Sequence, residues 1–497
     1  MPKKLKIFLS KNYLLIAVLL LALFLRLFRL NELLGFWYDQ GRDALIIWDM
    51  IYGGKFTLIG AQMGFTGIFS GGWFYWLLSP FYYLGHGNPI WPTVFLIFTS
   101  VFAIYVLYKL GEELGGRKAG LLAAFTAAVS FYVISASRWL SDPTPALVIS
   151  VLVVWAVFKF LQKKIWAVPA IGFLVGMSLQ FEAATEIFYI PAIIIIFLMN
   201  KKILPKIKVF IFSLILFLIP AIPQVIFEMR HPGVLSGAIT NFIFHENTFT
   251  FSFWEIIKTR MPYYYQLFSS KFWINGYWVF APFFIVFIAS LVVNWKKFWK
   301  NDKFKAVLIF SIAPFIGTLF FVGNLGAIYD YYFTGYYLIW ILVFSFVLLS
   351  ISKNFLGKLV PIIFLIVLSF ESLIAFKGAY LVSLDDPTIT TFDGQLKVVD
   401  WIYKDAGEKD FNFDVYVPPV VPYEWTYLFR WYGNSTYGRL PVEKNIPLLY
   451  TVYQVDAYHP ERLGAWLERQ KGIGSVVNEE RFGGIIVQKR ERKLYVK

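Results

Sequence analysis

The sequence predicts a polytopic α-helical membrane protein of about eleven crossings, followed by a small external α/β domain. Three observations lead there. Hydrophobic residues make up 58% of the 497, charged residues only 15%, and the mean hydropathy is +0.61, whereas a soluble domain carries about 25% charge. Apolar runs recur that are long enough, at about 17–25 residues, to cross a hydrocarbon core of roughly 30 Å. Past about Leu384 the composition shifts to alternating strands and charged, amphipathic helices. The division implied is a membrane-embedded unit over residues 1–383 and an external domain over residues 384–497.

The first apolar stretch, Tyr13–Phe28, follows a basic start. It exceeds the roughly 7–15 residues of a signal peptide and no small-residue cleavage site follows, so it reads as an uncleaved crossing that starts in the cytoplasm. Further crossings are expected near 89–110, 119–136, 143–161, 166–180, 185–200, 208–227, 276–294, 306–322, 336–351 and 359–377. Basic clusters at Lys3–Lys11, Arg117–Lys118, Lys163–Lys164, Lys201–Lys208, Lys296–Lys305 and Lys353–Lys358 part these segments into even-numbered groups, with one left over at the end. One cytoplasmic face carrying all the clusters satisfies that pattern and puts the C-terminal domain outside the plasma membrane. Between Lys164 and Lys201 a single helix would be about 54 Å long, too long for the bilayer. Two short helices turning at "LQFEAATE" fit better and bring Gln180, Glu182 and Glu186 to the outer side.

The loops at 31–88 and 228–275 are long and dense in Trp, Tyr and Phe, so they read as amphipathic helices lying in the outer interface. In the C-terminal domain, "FNFDVYV" (411–417) and "GGIIVQKR" (483–490) alternate as strands do. "DGQLKVVDWIYKDAG" reads as a helix with Asp393 as N-cap and Gly407 as its end. "HPERLGAWLERQKG" reads as another, with Pro460 in its first turn and Gly472 as its stop.

The net charge of +15 would suit a nucleic-acid partner, but the basic residues lie between apolar runs, as topology requires, and no such partner is expected. With no cysteine and four histidines (His86, His231, His245, His459), disulfides and thiolate metal sites are excluded. No metal constellation stands out, while a bound divalent cation stays compatible with the sequence. The hydrophilic turn "GEELGGRKAG" (111–120) carries no phosphate-loop pattern.

The acids of interest all fall on the outer side. Asp39 is either the N-cap of an amphipathic helix or a carboxylate, paired with Arg42, that accepts a proton from an attacking acceptor. The two roles are compatible. In "SRWLSDPTP", Arg138 and Asp142 form either a local ion pair, with Asp142 capping the next helix, or a phosphate site built on the Arg138 guanidinium. Glu182 has little structural reason to sit in a tight turn between membrane helices. Arg230 and His231 are headgroup anchors or ligand contacts, and Tyr332 belongs to an aromatic belt with Asp330 facing inward. Asp49 reads as solvated helix surface.

These residues match a family pattern. The chain resembles, over roughly residues 10–380, the GT-C glycosyltransferases that use polyprenyl-phosphate sugars, in the branch of protein O-mannosyltransferases and lipid A aminoarabinose transferases. That branch carries Asp-Glu or Asp-Glu-x-Arg just after the first helix, and this chain has Asp39-Gln40-Gly41-Arg42, with Gln40 replacing the second acid. "GGWFYWLLSPFYYLGHGNP" is similar to its second interfacial helix, "SRWLSDPTP" to the entry of its fourth crossing, and "IGFLVGMSLQFEAATEIFYIP" to its Gly-rich fifth. The resemblance implies a GT-C-like fold and an inverting transfer of sugar from a polyprenyl-phosphate donor to a lipid, glycan or protein acceptor. Asp39 would be the catalytic base. Arg42, Asp43, Arg138, Asp142, Glu182, Arg230, His231 and Tyr332 would bind substrate, without a resident cofactor. Membrane lipids are the other partners expected. A transporter or flippase of lipid-linked glycans is the competing reading, but its inverted repeats and midplane charges are not visible in this sequence.

Overall fold

In the computed structural model the described residues are 3–63, 66–244, 252–273, 277–319, 327–351, 355–416 and 421–493. His245, Lys353, Val417 and the last residues of the 306–322 segment, all named above, lie outside them. Helix α1 spans Lys3–Leu27. The first long loop then folds as α2 (Tyr38–Tyr52), a two-stranded antiparallel hairpin of β1 (Ile59–Gln62) and β2 (Phe69–Gly71), and α3 (Trp73–Leu84). The bundle continues with α4 (Ile90–Gly115), α5 (Arg117–Val129), α6 (Phe131–Arg138), α7 (Ala146–Leu161), α8 (Ala167–Ser178) and α9 (Tyr189–Met199). Then come α10 (Ile207–Leu218), α11 (Ile222–Arg230), α12 (Val234–Phe244), α13 (Phe253–Ser269), α14 (Tyr277–Val293), α15 (Asp302–Thr318), α16 (Tyr337–Ser350) and α17 (Phe355–Tyr380).

Each stretch read as a crossing coincides with a helix or a helix pair. Among the described residues four helices are long and apolar enough to cross a membrane, Ile90–Gly115, Ile207–Arg230, Asp330–Ser350 and Gly357–Tyr380, and the bent pair α5–α6 makes a fifth. Shorter apolar helices, such as Ala146–Leu161 and Ala167–Ser178, fill the remaining segments. The helices pack through small residues, as they must where lipid offers no hydrophobic drive for association. On α8, Gly172 and Gly176 lie one turn apart against α10. A Cβ on either would come within 2.3 Å of the carbonyl oxygen of Ser213 or Phe217. Gly111 and Gly120 bring α4 against α5 in the same way, a Cβ on Gly111 falling 2.7 Å from Gly120 Cα.

The segment 119–136 is not one helix. It breaks at Ser130 with a bend of 63°, where the Ser130 hydroxyl accepts from Val133 N and donates to the Lys271 carbonyl at 2.6 Å. A break frees the last carbonyls of α5, and in a bilayer those groups need internal donors. Arg26 of α1 supplies them. It is fully buried, donates to Ala127 O and Ala128 O at 3.1 Å, to Ala22 O at 3.0 Å, and through Nε to Ser137 Oγ at 3.1 Å. Arg138, ending α6, returns the contact by donating to Arg26 O at 3.0 Å and Phe28 O at 2.7 Å. Arg29 ties in α17, donating to Tyr380 O at 3.1 Å and Val382 O at 2.9 Å.

The C-terminal segment holds α18 (Phe392–Ala406), β3 (Asn412–Tyr416), α19 (Tyr423–Leu428), β4 (Leu448–Gln454), α20 (Pro460–Ile473), β5 (Gly474–Phe482) and β6 (Ile485–Arg492). The sheet order is β3-β4-β6-β5, with β3 and β4 parallel and the other pairs antiparallel. The buried face of α18 presents Val398, Val399 and Ile402, and the helix packs on β5 and β6. Two expectations are corrected here. The N-cap of α18 is Thr391, whose hydroxyl accepts from Gly394 N at 3.0 Å, and Asp393 lies inside the first turn, paired with Lys397 at 2.7 Å. Helix α20 runs past Gly472 to Ile473 and stops at Gly474, where β5 begins directly.

The Arg26 contacts give a first prediction. Arg26→Met leaves the Ala127 and Ala128 carbonyls buried without donors, which costs about 2–4 kcal/mol and appears as a lower thermal midpoint in detergent. An unchanged midpoint would show that the break is supported by other groups.

Candidate active site

Two cavities open side by side where α1, α6 and α17 end. The smaller, about 180 Å³, is polar. Asp39 and Arg42 of α2 line one wall, Ala61–Met63 of the hairpin another, and Ser141–Pro143, Phe181–Ala183, Tyr331 and Tyr332 complete it. The larger, about 560 Å³, is walled mainly by Phe131, Tyr132, Ala136, Tyr337 and Tyr380, with Arg138 and Asp330 among them. Trp139 and Tyr331 line both. Their rings meet edge-on at 5.6 Å and form the partition.

Helix α2 carries the charge. It starts at Tyr38, with Trp37 in the cap position, so the capping role considered for Asp39 is corrected. Asp39 stands in the first turn, where the helix dipole favours a carboxylate, with its side chain 52% exposed toward the polar cavity. One turn on, Arg42 reaches Asp39 Oδ1 with Nη1 at 2.8 Å and Asp43 Oδ1 with Nε and Nη2, both at 2.8 Å. Asp43 also accepts from Tyr75 OH at 3.0 Å. Its expected role as a direct ligand is corrected, because it is buried and lines neither cavity. It lies behind Arg42 and holds the guanidinium in place. Burial pushes the Asp43 carboxyl up to about 6, against the opposing pull of Arg42.

The Arg138–Asp142 pair does not form. No ion pair joins them among the described residues, and the two side chains line different cavities. Arg138 caps α1, as described above, with its guanidinium 4.2 Å over the Tyr380 ring and Nη2 buried without a hydrogen-bond partner. Asp142 is not a helix cap either, since α7 begins at Ala146 behind Pro145. It faces the polar cavity and accepts from Ser141 Oγ at 3.2 Å. Burial, and next the charge of Asp43, push its carboxyl up to about 7. Glu182 caps the short helix Ala183–Glu186 by accepting from Ala184 N at 3.0 Å while lining the same cavity. Burial, then the neighbouring Glu186 and Asp142, raise its pKa well above the usual carboxylate range. Glu186 itself is fully buried and lines neither cavity.

Tyr332 lines the polar cavity, its backbone carbonyl accepting from Thr185 Oγ1. Arg230 and His231 are not brought to the site. Both are exposed at the end of α11, and the His231 ring lies tilted against Phe227 with centroids 4.7 Å apart. Lys271 escaped sequence reading altogether. It is fully buried, with Nζ 3.2 Å from the Tyr132 ring centroid and 3.9 Å from that of Tyr337, two residues of the apolar cavity. Only the density of tyrosine around it could have marked it. Among the described residues no group of three or more His, Cys, Asp or Glu gathers as a metal ion would require.

The family described as dolichyl-phosphate-mannose-protein mannosyltransferase matches residues 73–227, a stretch that holds Arg138, Asp142 and Glu182 but not Asp39. No curated protein matches the chain in sequence. Among solved structures, ArnT from Cupriavidus metallidurans in the apo state superposes with a TM-score of 0.63 at 12% identity, covering 97% of this chain and 98% of that one. The chain has the fold of ArnT. The form of ArnT bound to undecaprenyl phosphate gives 0.59 at 11% identity over the same shares. The archaeal oligosaccharyltransferase AglB from Archaeoglobus fulgidus, in complex with an inhibitory peptide and a dolichol-phosphate, gives 0.50 at 11%, covering 98% of this chain and 75% of that one.

The substitution at Gln40 has a local cause. Its amide oxygen accepts from Trp37 N at 3.2 Å and its amide nitrogen donates to Leu140 O at 3.2 Å, so α2 is pinned to the loop that carries Asp142. A carboxylate can take the first bond but not give the second. Gln40→Glu, the acid that the resembled family carries, is thus predicted to destabilise this chain by about 1–3 kcal/mol through an unpaired carbonyl facing a buried charge. Thermal unfolding in detergent measures it, and a variant as stable as the parent would count against the Leu140 contact.

Proposed function

We propose that the chain is an integral-membrane inverting glycosyltransferase. It moves a sugar from a polyprenyl-phosphate donor to a lipid, glycan or protein acceptor at the outer face of the membrane. The observation that carries this reading is the junction of the two cavities, with a half-exposed, Arg-held carboxylate on one side and an arginine with a free N–H on the other. An apolar cavity of this size suits the first isoprene units of a donor, and Arg138 suits its phosphate. The sugar then passes the Trp139–Tyr331 partition into the polar cavity. ArnT bound to undecaprenyl phosphate shares this fold, which supports the same class of donor here.

In this mechanism the acceptor nucleophile attacks the anomeric carbon on the face opposite the phosphate. Asp39 takes the proton that the nucleophile loses, and the polyprenyl phosphate leaves with the bonding electron pair. Arg138 and Arg42 balance the charge that develops on the leaving oxygen. The other acids have a distinct task. Asp142 and Glu182, raised in pKa by burial, with Asp43 adding to the shift at Asp142 and Glu186 and Asp142 adding to it at Glu182, keep their protons to higher pH than ordinary carboxylates. They donate hydrogen bonds to sugar hydroxyls without repelling the donor phosphate.

Two outcomes follow. Asp39→Asn folds and binds donor but loses about 10²–10⁴ of kcat, measured with a panel of polyprenyl-phosphate sugars, and full activity would remove Asp39 as base. Because Asp142 is protonated below about 7, donor KM is expected to be flat in mild acid and to rise several-fold as pH passes through that value and the carboxylate forms. Asp142→Asn should abolish the rise, and a KM profile that is flat in the parent or unchanged in the variant would count against the role of Asp142.

A further inference from the structure

Among the described residues the C-terminal domain lines neither cavity, the last residue to reach either one being Tyr380. It nonetheless sits hard against α2. A Cβ built on Gly41 would fall 2.2 Å from Glu424 N and 2.5 Å from Tyr423 C, so the backbone of α19 rests directly on the turn that bears Asp39 and Arg42. Such contact leaves no room for any side chain. Around this seam lie four struts. Tyr423 packs on Tyr38 with ring centroids 5.0 Å apart. Gln395 Nε2 donates to Phe36 O at 3.0 Å, just before α2. Arg430 Nη1 pairs with Asp49 at 2.9 Å, near its end. Tyr427 OH donates to Gly87 O at 2.5 Å, in the turn between α3 and α4. Asp49 is thus not idle surface; it joins Lys55 at 3.2 Å and the C-terminal domain.

We propose that the C-terminal domain is a positioning element of the catalytic centre, which by seating Tyr423–Glu424 on Gly41 fixes the rotation and depth of α2 and so aims Asp39 and Arg42 into the polar cavity. This rests on the glycosyltransferase reading above. The Gln40–Leu140 and Asp43–Tyr75 contacts hold α2 on its bundle side, and the domain closes the opposite side. A domain that chose the acceptor by touching it would have to line the polar cavity, and none of its described residues does.

The test uses the full chain in detergent and reads transfer and geometry separately. Gly41→Leu is expected to lower kcat at least tenfold with donor KM unchanged. Arg430→Asp, facing Asp49, is expected to lower kcat several-fold, and Asp49→Arg in the same chain to restore it. Because the chain contains no cysteine, spin labels on Tyr52→Cys of α2 and Phe102→Cys of α4, both well exposed, report the placement of α2 directly. In the otherwise unchanged chain their distance distribution should be narrow, and Gly41→Leu and Arg430→Asp should shift or broaden it. Full kcat with a displaced α2, an undisplaced α2 in both variants, or failure of the charge swap to restore kcat would each overturn the proposal. If the parent chain transfers no sugar from any polyprenyl phosphate, the functional reading fails instead, and the label distances still decide whether the domain positions α2.

Discussion

The arrangement rests on a reciprocal cap between two arginines at one depth of the bundle. Breaking a membrane helix frees carbonyls that lipid cannot satisfy, and the break at Ser130 does so for the end of α5. Arg26 answers from α1, and Arg138, at the far end of the broken pair, answers in turn for the end of α1. Arg29 adds the end of α17 to the same clasp. Each guanidinium presents donors in a fixed fork, so the three helix ends are held in register as well as in contact. The segments leaving α1 and α6 carry Asp39 and Asp142. Those acids share a cavity because the ends from which their segments depart are clamped together.

From that constraint the electrostatics follow. Acids gathered into a partly dry cavity cannot all ionise, and the cost of burial raises Asp142 and Glu182 while Arg42 is spent on Asp39 and Asp43. One carboxylate, Asp39, is left exposed and ion-paired at the mouth, and burial tunes its neighbours toward the neutral form. In the proposed mechanism, environment alone divides the roles of base and hydrogen-bond donor among carboxyl groups of the same chemistry. The apolar cavity across the Trp139–Tyr331 partition shows the complementary choice, with Arg138 and Asp330 set among mainly aromatic walls.

How far this could be read in the sequence depends on the range of the signal. Hydropathy located the apolar helices, because it acts over whole segments. Asp39 and Arg42 were visible as a pair because three residues is one helical turn. The break at Ser130 was not, since Ser within an apolar run is compatible with an unbroken helix. Arg26 lies inside the first crossing with nothing nearby to show that its partners are 101 and 102 residues away. The supposed Arg138–Asp142 pair failed for the same reason. Spacing of four residues suggested a local contact, but the chain between them turns at Trp139 and each side chain finds a remote partner or cavity instead. The hairpin of β1 and β2 and the strands β4 and β5 carried no turn signal strong enough to outweigh the aromatic and charged composition around them.

The four residues Asp39-Gln40-Gly41-Arg42 now have separate reasons to be what they are. Successive positions on a helix point about 100° apart, so four in a row address all sides of the axis. Asp39 faces the polar cavity. Gln40 holds the loop of Asp142, Gly41 admits the backbone of the C-terminal domain, and Arg42 bridges the exposed acid to the buried one. One turn of helix therefore touches the helical bundle, the polar cavity and the C-terminal domain at once. A change at any of the four moves the other three, so their effects on transfer should be coupled rather than additive. The acid that this chain lacks at position 40 is thus accounted for by packing. With Leu140 O as its neighbour the position demands a donor, which a carboxylate cannot provide.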